Sequence, residues 1–225
     1  MINKENRKYY EAYEERYKTV HARGMSWSST ISTPLVMKTL EQYQITPKHR
    51  LLEIGCGEGR DSRTVFEHGF QLLATDVSPE AIAYCRKTIP DYADHFRVLD
   101  CLADQLTETY DFIFAIALIH MLVPDEDRNG FYQFIRNHLS LQGIALICTM
   151  GDGEMETQSD ISAAWTLQER SHESGKMLVA ATSCRMVSWN TWEKELARNH
   201  LTLIEKGITA ALPDFSSLMY AIVKR

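Results

Sequence analysis

LLEIGCGEGRDS, residues Leu51 to Ser62, joins an apolar run of strand length to three glycines at alternate positions. The apolar run predicts a buried strand, and the polar residues after the glycines predict the start of a helix. Glycine leaves the backbone bare, so a ligand can approach the turn at the carboxyl end of the strand. The spacing alone is weak support for a ligand, because glycines also form plain tight turns.

Short apolar segments alternate with helical segments after residue 50, which predicts an α/β fold. The expected strands are Leu51–Ile54, Gln71–Thr75, Phe96–Leu99, Phe112–Ile116 and Ile144–Thr149. Apolar strands separated by helices indicate a parallel sheet with right-handed crossovers. Two more candidates, Leu201–Lys206 and Leu218–Lys224, predict an antiparallel edge at the carboxyl terminus. We therefore predict a doubly wound, Rossmann-like, seven-stranded sheet, mostly parallel, with helices on both faces.

The chain outside this core divides into three parts of one predicted domain, residues 1–225. Residues 1–45 are expected to be helical, with tyrosines on one face of a first helix and Pro34 opening a second that runs to about Tyr43. Residues 151–187 are polar and predict an insertion that carries a helix from Ile161 to Glu169. Residues 188–225 are expected to hold a terminal helix and the last strands.

Composition excludes several classes of protein. The net charge of −6 offers no basic stripe for phosphates, so nucleic acid is an improbable partner. The longest apolar run, residues 112–123, is too short to cross a bilayer, and the polar amino terminus carries no secretory core. Five cysteines without a CxxC pair fit neither a disulfide framework nor a metal site. We expect reduced thiols, a cytoplasmic protein, no membrane contact and no metal.

Asp76 ends the second predicted strand, 21 residues after Gly55. A carboxylate at this place can accept hydrogen bonds from both hydroxyls of a ribose. The alternative is that DVSPEAI is a plain helix start, with Ser78 as the cap and Asp76 favouring the helix dipole. Both interpretations can hold together, because the cap explains Ser78 better than it explains Asp76.

Charge around the glycines favours a cationic ligand over a phosphate. Glu53, Glu58 and Asp61 all lie near the loop, and they would repel a pyrophosphate and attract an ammonium or a sulfonium. S-adenosylmethionine carries both cations and a ribose but no phosphate. The dinucleotide fingerprint also needs a glycine where this chain has Arg60.

The sequence from about Leu51 to Met150 resembles the class I S-adenosylmethionine-dependent methyltransferases. LLEIGCGEG resembles their first motif, LLATDVSPEAI the second and HFRVLDCLAD the third, and YDFIFAIALIHML and NHLSLQGIALICTM resemble the strands that follow. The run GCGEGRDSRTVFEHGFQLLATDVS is further similar to the branch that holds tellurite-resistance and thiopurine methyltransferases. Those enzymes act on small soft nucleophiles.

The resemblance implies a set of residues that contact S-adenosylmethionine. Asp76 would bind the ribose, Asp100 the adenine amino group and Glu53 the ammonium through water, although Glu53 is equally well explained as a cap. The full expected set is Trp27, Glu53, Gly55, Cys56, Gly57, Gly59, Asp61, Asp76, Val77, Asp100, Cys101, Ala115 and Ala117. Residues 1–45, including Tyr17 and Trp27, would form a lid over the site, although aromatic core packing explains Tyr17 better.

His120 is the single titratable group in an apolar run and is the candidate catalytic residue. A neutral imidazole there could take a proton from the nucleophile, although a structural histidine at the turn explains it more simply. Asp152 and Glu154, in the loop MGDGEMETQ, would attract a cationic acceptor or would simply be solvated.

The function expected is methyl transfer to the S, N or O atom of a small molecule. The alternatives are a non-catalytic S-adenosylmethionine-binding sensor or partner subunit, and a nicotinamide dehydrogenase, which Arg60 and the loop acids disfavour. The sequence makes no prediction of the oligomeric state.

Overall fold

A computed structural model describes residues 7–172, 175–209 and 217–225. The strands are β1 Arg50–Ile54, β2 Gln71–Asp76, β3 Phe96–Val98, β4 Tyr110–Ile116, β5 Leu139–Met150, β6 Thr157–Gln158, β7 Leu167–His172, β8 Gly175–Ala180, β9 Arg185–Met186, β10 Thr202–Thr209 and β11 Leu218–Lys224. The α-helices are α1 Ala12–His21, α2 Pro34–Gln42, α3 Arg60–Glu67, α4 Pro79–Thr88, α5 Asp125–His138 and α6 Trp189–Arg198. A short 3-10 helix, Tyr9–Glu11, leads into α1.

The described residues form a seven-stranded sheet in the order β10-β11-β5-β4-β1-β2-β3. Five neighbouring strands, β5, β4, β1, β2 and β3, are parallel to one another. Strand β11 is antiparallel to β5, and β10 is antiparallel to β11. Strand β1, in the interior of the sheet, pairs Leu51 with Leu72 of β2 and with Phe112 of β4. This confirms the predicted doubly wound sheet with its antiparallel carboxyl-terminal edge.

Helices cover both faces of the sheet, because the central strands are apolar on both sides. One face packs side chains of β1 and β4 against α2, α3 and α4, with Leu40, Phe66 and Ile82 in the cluster. The opposite face packs against α5 and α6, with Phe131 and Trp192 in the cluster. The carboxyl ends of β1, β2 and β4 are left between these layers as one open edge.

Local signals place the helix starts where the sequence predicts them. Pro34 is the first residue of α2, where its missing N–H costs nothing. Ser78 caps α4, since its hydroxyl accepts a hydrogen bond from the Ala81 amide at 3.0 Å. The first helix predicted within residues 1–45 is found as the 3-10 turn Tyr9–Glu11 and α1, and residues 1–6 lie outside the described part of the chain.

The predicted helix from Ile161 to Glu169 is wrong. A single 3-10 turn, Ile161–Ala163, is followed by the antiparallel pair of β7 and β8, and β6 pairs with β9. The pair packs on α1 through Val20, Met177 and Val179, with Trp27 at the edge of this small cluster. The described residues between 151 and 187 thus contain two pairs of short strands, and the pair of β7 and β8 lies against α1.

Helix length also bears on membrane insertion. Within the ranges that the structure describes, no helix combines the length and the apolar character needed to span a bilayer.

Candidate active site

A cavity of about 710 Å³ lies at the carboxyl edge of β1, β2 and β4. We call the sheet side of this cavity the floor, and its lining includes Gly55, Gly57, Asp76, Asp100 and Ala117. We call the opposite side the roof, and its lining includes Tyr13, Arg16, Trp27, Arg170 and Thr182. The volume falls in the range of about 300–1,000 Å³ that small-molecule sites occupy. The roof comes from α1, the segment after it and residues 151–187, so parts distant in sequence close one chamber.

The glycine loop is held tightly against its surroundings. Gly55 and Gly57 have φ values of 75° and 53°, which L side chains rarely adopt. A Cβ on Gly55 would overlap the Leu118 side chain, and one on Gly57 would lie 2.8 Å from the Tyr17 hydroxyl. Both positions therefore require glycine for conformation and for space.

The amides of the loop are already engaged by the protein. The N–H groups of Gly55 and Cys56 both donate to the Thr75 carbonyl, at 2.8 and 2.9 Å, and the Gly57 N–H donates to Asp76 Oδ2 at 2.9 Å. A phosphate-binding loop instead points such amides at the ligand. The loop therefore forms part of the cavity wall, and its three engaged amides are not available to bind an anion.

Asp76 is buried at the end of β2 with its carboxylate fixed in place. Oδ2 accepts from Gly57, and Oδ1 accepts from the Ser78 amide at 2.8 Å. Burial raises the pKa of this carboxyl, while the amide hydrogen bonds oppose the rise. The Val77 amide is a further partner, and since a carboxylate has about four acceptor sites, part of its acceptor capacity remains for a ligand. Ser78 caps α4 at the same time, so both interpretations of DVSPEAI hold.

Glu53 is 2% exposed and accepts a short hydrogen bond from the Ser62 hydroxyl. Burial, with the charge of Asp61 as the next cause, raises the pKa of Glu53 to about 8. The side chain is therefore largely protonated at neutral pH. It contributes little negative charge to the cavity under these conditions.

The other two loop acids hold the amino-terminal segment. Glu58 Oε1 lies 2.9 Å from His21 Nε2 and accepts the Trp27 amide at 2.7 Å, while Oε2 accepts the Ser28 amide at 2.7 Å. Asp61 accepts the amide and the hydroxyl of Thr33, at 2.5 and 3.0 Å. The acidic character of the loop thus serves in large part to tie residues 21–33 to the sheet, which the sequence argument from charge did not anticipate.

Asp100 lies at the end of β3 on the same floor. Its Oδ2 accepts from Lys8 Nζ at 2.5 Å and from the Tyr10 hydroxyl at 3.0 Å, and Oδ1 accepts the Leu102 amide at 2.9 Å. The neighbouring Cys101 lines the cavity, and burial raises the pKa of its thiol to about 12. Asp100 joins the amino-terminal segment to the floor at a second point.

Two predicted contact residues lie away from the cavity. Ala115 is completely buried in the cluster beneath α5 and α6, because side chains alternate along β4 and its Cβ points into the core. Gly59 caps α3 with a φ of 78°, and a Cβ there would press on Cys85 and Ile89. Neither residue is in the lining of the cavity, and their contact with a cofactor stays a prediction.

The remaining predicted residues do line the cavity, and they share a place on the floor or the roof: Trp27, Glu53, Gly55, Cys56, Gly57, Asp61, Asp76, Val77, Asp100, Cys101, Ala117 and His120. Ala117 follows β4 with a φ of 54°, and its amide donates to the Cys148 carbonyl at 3.0 Å. A positive φ at a residue with a side chain is a local strain typical of functional sites. By contrast, exposed Asp152 accepts the amides of Glu154 and Met155 and is solvated in its own loop.

His120 lies in a short 3-10 helix after β4 and is 4% exposed. Burial, and then the charge of Arg128, lowers the pKa of His120 to about 4. Arg128 also donates to the carbonyls of Ile119 and Leu122, at 3.0 and 3.3 Å, and so fixes the turn that carries the imidazole. The ring is neutral at physiological pH and faces the cavity.

Sequence reasoning missed Arg16 and Arg170 in the roof. Arg16 packs between the rings of Tyr13 and Trp27, at 4.5 and 4.6 Å from their centroids, and donates to the Ala180 carbonyl at 2.8 Å. The available signal was its place on the aromatic face of α1, three residues after Tyr13. The contact to residue 180 carries no sequence signal.

The profile of a family described as methyltransferase domain matches residues 52–145. Malonyl-[acyl-carrier protein] O-methyltransferase from Bacillus cereus is 30% identical over 132 residues, which cover 56% of this chain and 45% of that protein. The chain spans less than half the length of the curated relatives it matches.

Solved structures share the fold over nearly the whole chain. An S-adenosylmethionine-dependent methyltransferase from Clostridium acetobutylicum superposes with a TM-score of 0.66 at 13% identity, covering 96% of this chain and 99% of that one. A TehB-like S-adenosylmethionine-dependent methyltransferase from Corynebacterium glutamicum superposes with a TM-score of 0.58 at 19% identity, covering 96% and 97%. At these identities the likeness extends to the fold, and the matched segment 52–145 contains the floor residues.

Proposed function

We propose that this chain carries a domain of the class I S-adenosylmethionine-dependent methyltransferase family. We further propose that it transfers the methyl group of S-adenosylmethionine to a small-molecule nucleophile. The observation that carries the proposal is the pairing of the glycine loop with Asp76. The loop amides of Gly55, Cys56 and Gly57 are engaged by the protein, and a buried carboxylate with free acceptor sites stands beside them. This arrangement suits a ribose diol and gives a pyrophosphate little to bind.

The residues present fit S-adenosylmethionine along the floor. Asp76 accepts the ribose hydroxyls, and the bare Gly55 and Gly57 pass beside the methionine portion. Asp100 and the Cys101 backbone hold the adenine, with Val77 against its ring. Glu53, close to neutral at physiological pH, orients the loop through Ser62 and contacts the ammonium through water. Ala117 and Trp27 limit the space around the reacting end.

The bound donor supplies an activated methyl group: a bond from the nucleophile to the methyl carbon forms as the sulfur–carbon bond breaks, and that bonding pair stays on sulfur. The chain contributes chiefly by positioning, since in-line transfer requires the nucleophile, carbon and sulfur to be collinear. The amino-terminal segment acts as a lid, tied to the floor by Glu58 and Asp100. A covered cavity also favours a reaction in which a cation and an anionic nucleophile neutralise each other.

His120 contacts the acceptor as a neutral imidazole. Its pKa, lowered to about 4 by burial and by Arg128, makes it a weak base near pH 7, so it accepts a hydrogen bond more readily than it holds a proton. Replacing His120 with Ala is expected to lower turnover without introducing or removing an inflection between pH 6 and 8. Full turnover at every pH tested would remove His120 from the reaction.

A small-molecule acceptor suits the cavity, because the space between floor and roof is about 710 Å³. A cytoplasmic setting stays part of the proposal, because five cysteines without a CxxC pair do not suit a disulfide framework. Asp152 and Glu154 lie outside the lining and do not select a cationic acceptor.

Calorimetry with S-adenosylmethionine and NAD side by side tests the proposal. S-adenosylmethionine is expected to bind and NAD is not. A screen of thiols, amines, phenols and oxyanions, read by formation of S-adenosylhomocysteine, then tests transfer, with duplex DNA and RNA as negative controls. Preferential NAD binding would overturn the cofactor assignment. Binding without transfer to any acceptor would instead favour the non-catalytic sensor.

A further inference from the structure

His21, the last residue of α1, lies between two carboxylates. Its Nε2 is 2.9 Å from Glu58 Oε1 in the glycine loop, and its Nδ1 is 2.9 Å from Glu80 Oε1 on α4. The side chain is 8% exposed, and the ring stacks between Tyr17 and Tyr84, with centroids 5.7 and 4.3 Å away. His21 therefore connects the helix of the roof to the glycine loop and to α4.

The two contacts of the imidazole need two hydrogens. Each contact is short enough for a hydrogen bond, which requires one hydrogen between the nitrogen and the oxygen. A neutral imidazole carries a single N–H, and two ionised carboxylates carry none, so one contact would set a ring lone pair against a carboxylate. Both hydrogen bonds form when the three side chains hold one additional proton, as they do when His21 is an imidazolium.

The bridge also fixes the segment that follows α1. Glu58 Oε1, the oxygen that faces His21, accepts the Trp27 amide at 2.7 Å, and Oε2 accepts the Ser28 amide at 2.7 Å. Trp27 lines the roof of the cavity. A loss of contact at His21 therefore loosens the attachment of Trp27 over the glycine loop.

The two phenols that sandwich the ring do not change charge near neutral pH. Burial raises the pKa of Tyr17, and burial followed by the charge of Glu58 raises the pKa of Tyr84, so both remain neutral up to pH 9. Arg63 of α3 acts on Tyr84 through its charge and is a cation throughout this range. The faces of the imidazole are thus covered by neutral groups.

The remaining charged groups near the end of α1 belong to one ion pair. Lys18 Nζ lies 3.1 Å from Glu14 Oε1, and Glu14 Oε2 accepts the Ser78 hydroxyl at 2.5 Å and the Glu80 amide at 3.1 Å. Burial opposes ionisation of Glu14, but these hydrogen bonds outweigh it and lower its pKa. The pair therefore stays charged between pH 6 and 9, and the additional proton on the His21 cluster is the one that this range of pH can remove.

We propose that His21, Glu58 and Glu80 form a pH-sensitive latch that holds the roof on the floor while the three side chains keep their additional proton. The closed roof binds that proton and the open roof releases it, so a rise in pH weakens closure. The neutral ring keeps its single N–H on buried Glu58, where an unsatisfied carboxylate costs more, and Glu80, which is 32% exposed, turns to water. That the latch gates the methyl donor rests on the proposed function, whereas the closure itself does not.

Glu80→Gln separates the latch from simple packing. The introduced amide NH₂ donates to Nδ1 while the neutral ring donates from Nε2 to Glu58, so both contacts are satisfied without an additional proton. Closure in this variant is expected to be tight and independent of pH. His21→Phe keeps the stacked ring and loses both contacts, so it is expected to be loosely closed at every pH. His68→Phe, at the exposed end of α3, is the control for the histidine substitution.

Two measurements between pH 6 and 9 test the latch. Limited proteolysis of residues 21–33 measures closure, and calorimetry with S-adenosylhomocysteine measures its effect on the donor site. Over this range the natural protein is expected to be cleaved roughly three- to tenfold faster, and to bind S-adenosylhomocysteine more weakly by a similar factor, relative to Glu80→Gln at the same pH.

The ratio to Glu80→Gln removes other effects of pH. The protease has its own pH dependence, and the pKa of Glu53, raised to about 8 by burial and then by the charge of Asp61, lies in the same range. Both act equally on the two proteins, so they cancel in the ratio.

The outcomes separate the latch from the proposed function. If the cleavage ratio between the natural protein and Glu80→Gln is the same at every pH, the latch is wrong even where methyl transfer is observed. A cleavage ratio that depends on pH with a constant ratio of S-adenosylhomocysteine affinities would overturn the gating of the donor site. If S-adenosylhomocysteine fails to bind while the cleavage ratio still depends on pH, the latch stands and the methyltransferase function fails.

Discussion

Arg128 on α5 and Glu195 on α6 form a two-point ion pair in the core, with Tyr132 donating to the same carboxylate at 2.7 Å. Because both side chains are buried, the pair matters most when one partner is missing. The same arginine fixes the turn before α5 that carries His120. The Arg128–Glu195 ion pair therefore connects α5 and α6 to the turn at the edge of the cavity.

Arg128→Met is expected to lower the free energy of unfolding by about 3–5 kcal/mol, because Glu195 is left as an unpaired buried charge. Denaturant unfolding measures this. The double variant Arg128→Met/Glu195→Leu should recover part of the loss, since both charges are then gone. Arg136→Met, at an exposed position of α5, is the control and should change stability little. Equal stability of the single and double variants would contradict a coupled pair.

Glu58→Ala is expected to release the amino-terminal segment from the glycine loop. The variant loses the contacts to His21, Trp27 and Ser28, which weakens docking of the segment by about 2–4 kcal/mol. Limited proteolysis should cleave residues 21–33 faster, while the sheet core stays folded by circular dichroism. Exposed Glu41→Ala on α2 provides the comparison. An unchanged cleavage rate would show that Glu58 does not hold the segment.

Glu53 is expected to make the protein less stable as the pH rises. Its pKa of about 8 in the folded state, raised by burial and then by Asp61, exceeds the ordinary value of 4.5. Between these values the unfolded chain has lost the proton and the folded chain keeps it, so the free energy of unfolding falls with increasing pH. The fall ends about one pH unit above the folded pKa and amounts to roughly 5 kcal/mol.

The variant Glu53→Gln isolates this contribution. Its free energy of unfolding should change less than that of the natural protein between pH 5 and 8, as measured by urea titration at several pH values. Glu67→Gln, exposed on α3, should follow the natural protein. Parallel curves for Glu53→Gln and the natural protein would mean that Glu53 ionises normally.

Asp76→Ala is expected to weaken S-adenosylmethionine binding by roughly 10- to 100-fold, because a charged acceptor for the ribose is lost. Asp76→Asn keeps the shape and one acceptor oxygen, so its loss should be smaller. Calorimetry measures both, and exposed Asp152→Asn is the matched control. Unchanged affinity in Asp76→Ala would remove this carboxylate from the ribose site.

The floor is predictable from sequence because its signals are local. The run Leu51–Ile54 followed by glycines at 55 and 57 specifies a strand and a turn, and Asp76 sits at the end of the next strand. Parallel topology then brings these ends to one edge without further information. The Ala115 side chain does not line the cavity, because side chains alternate along β4 and the choice of face depends on where the strand ends.

The roof is not predictable in the same way. Nearly every described residue of β7 is exposed, so the segment shows no alternation that would identify a strand, and a helix was predicted instead. The role of Arg16 depends on residues 180 and 182, more than 160 positions away. Such contacts follow from tertiary packing and leave no periodic trace.

The profile match ends at residue 145 and includes Gly55, Gly57, Asp76 and Ala117, but none of the roof residues Arg16, Trp27, Arg170 or Thr182. The two walls of the cavity are thus encoded by separate stretches of the sequence. Substitutions in α1, β7 or β8 change the roof and leave the floor residues as they are, so the two walls can vary independently of each other.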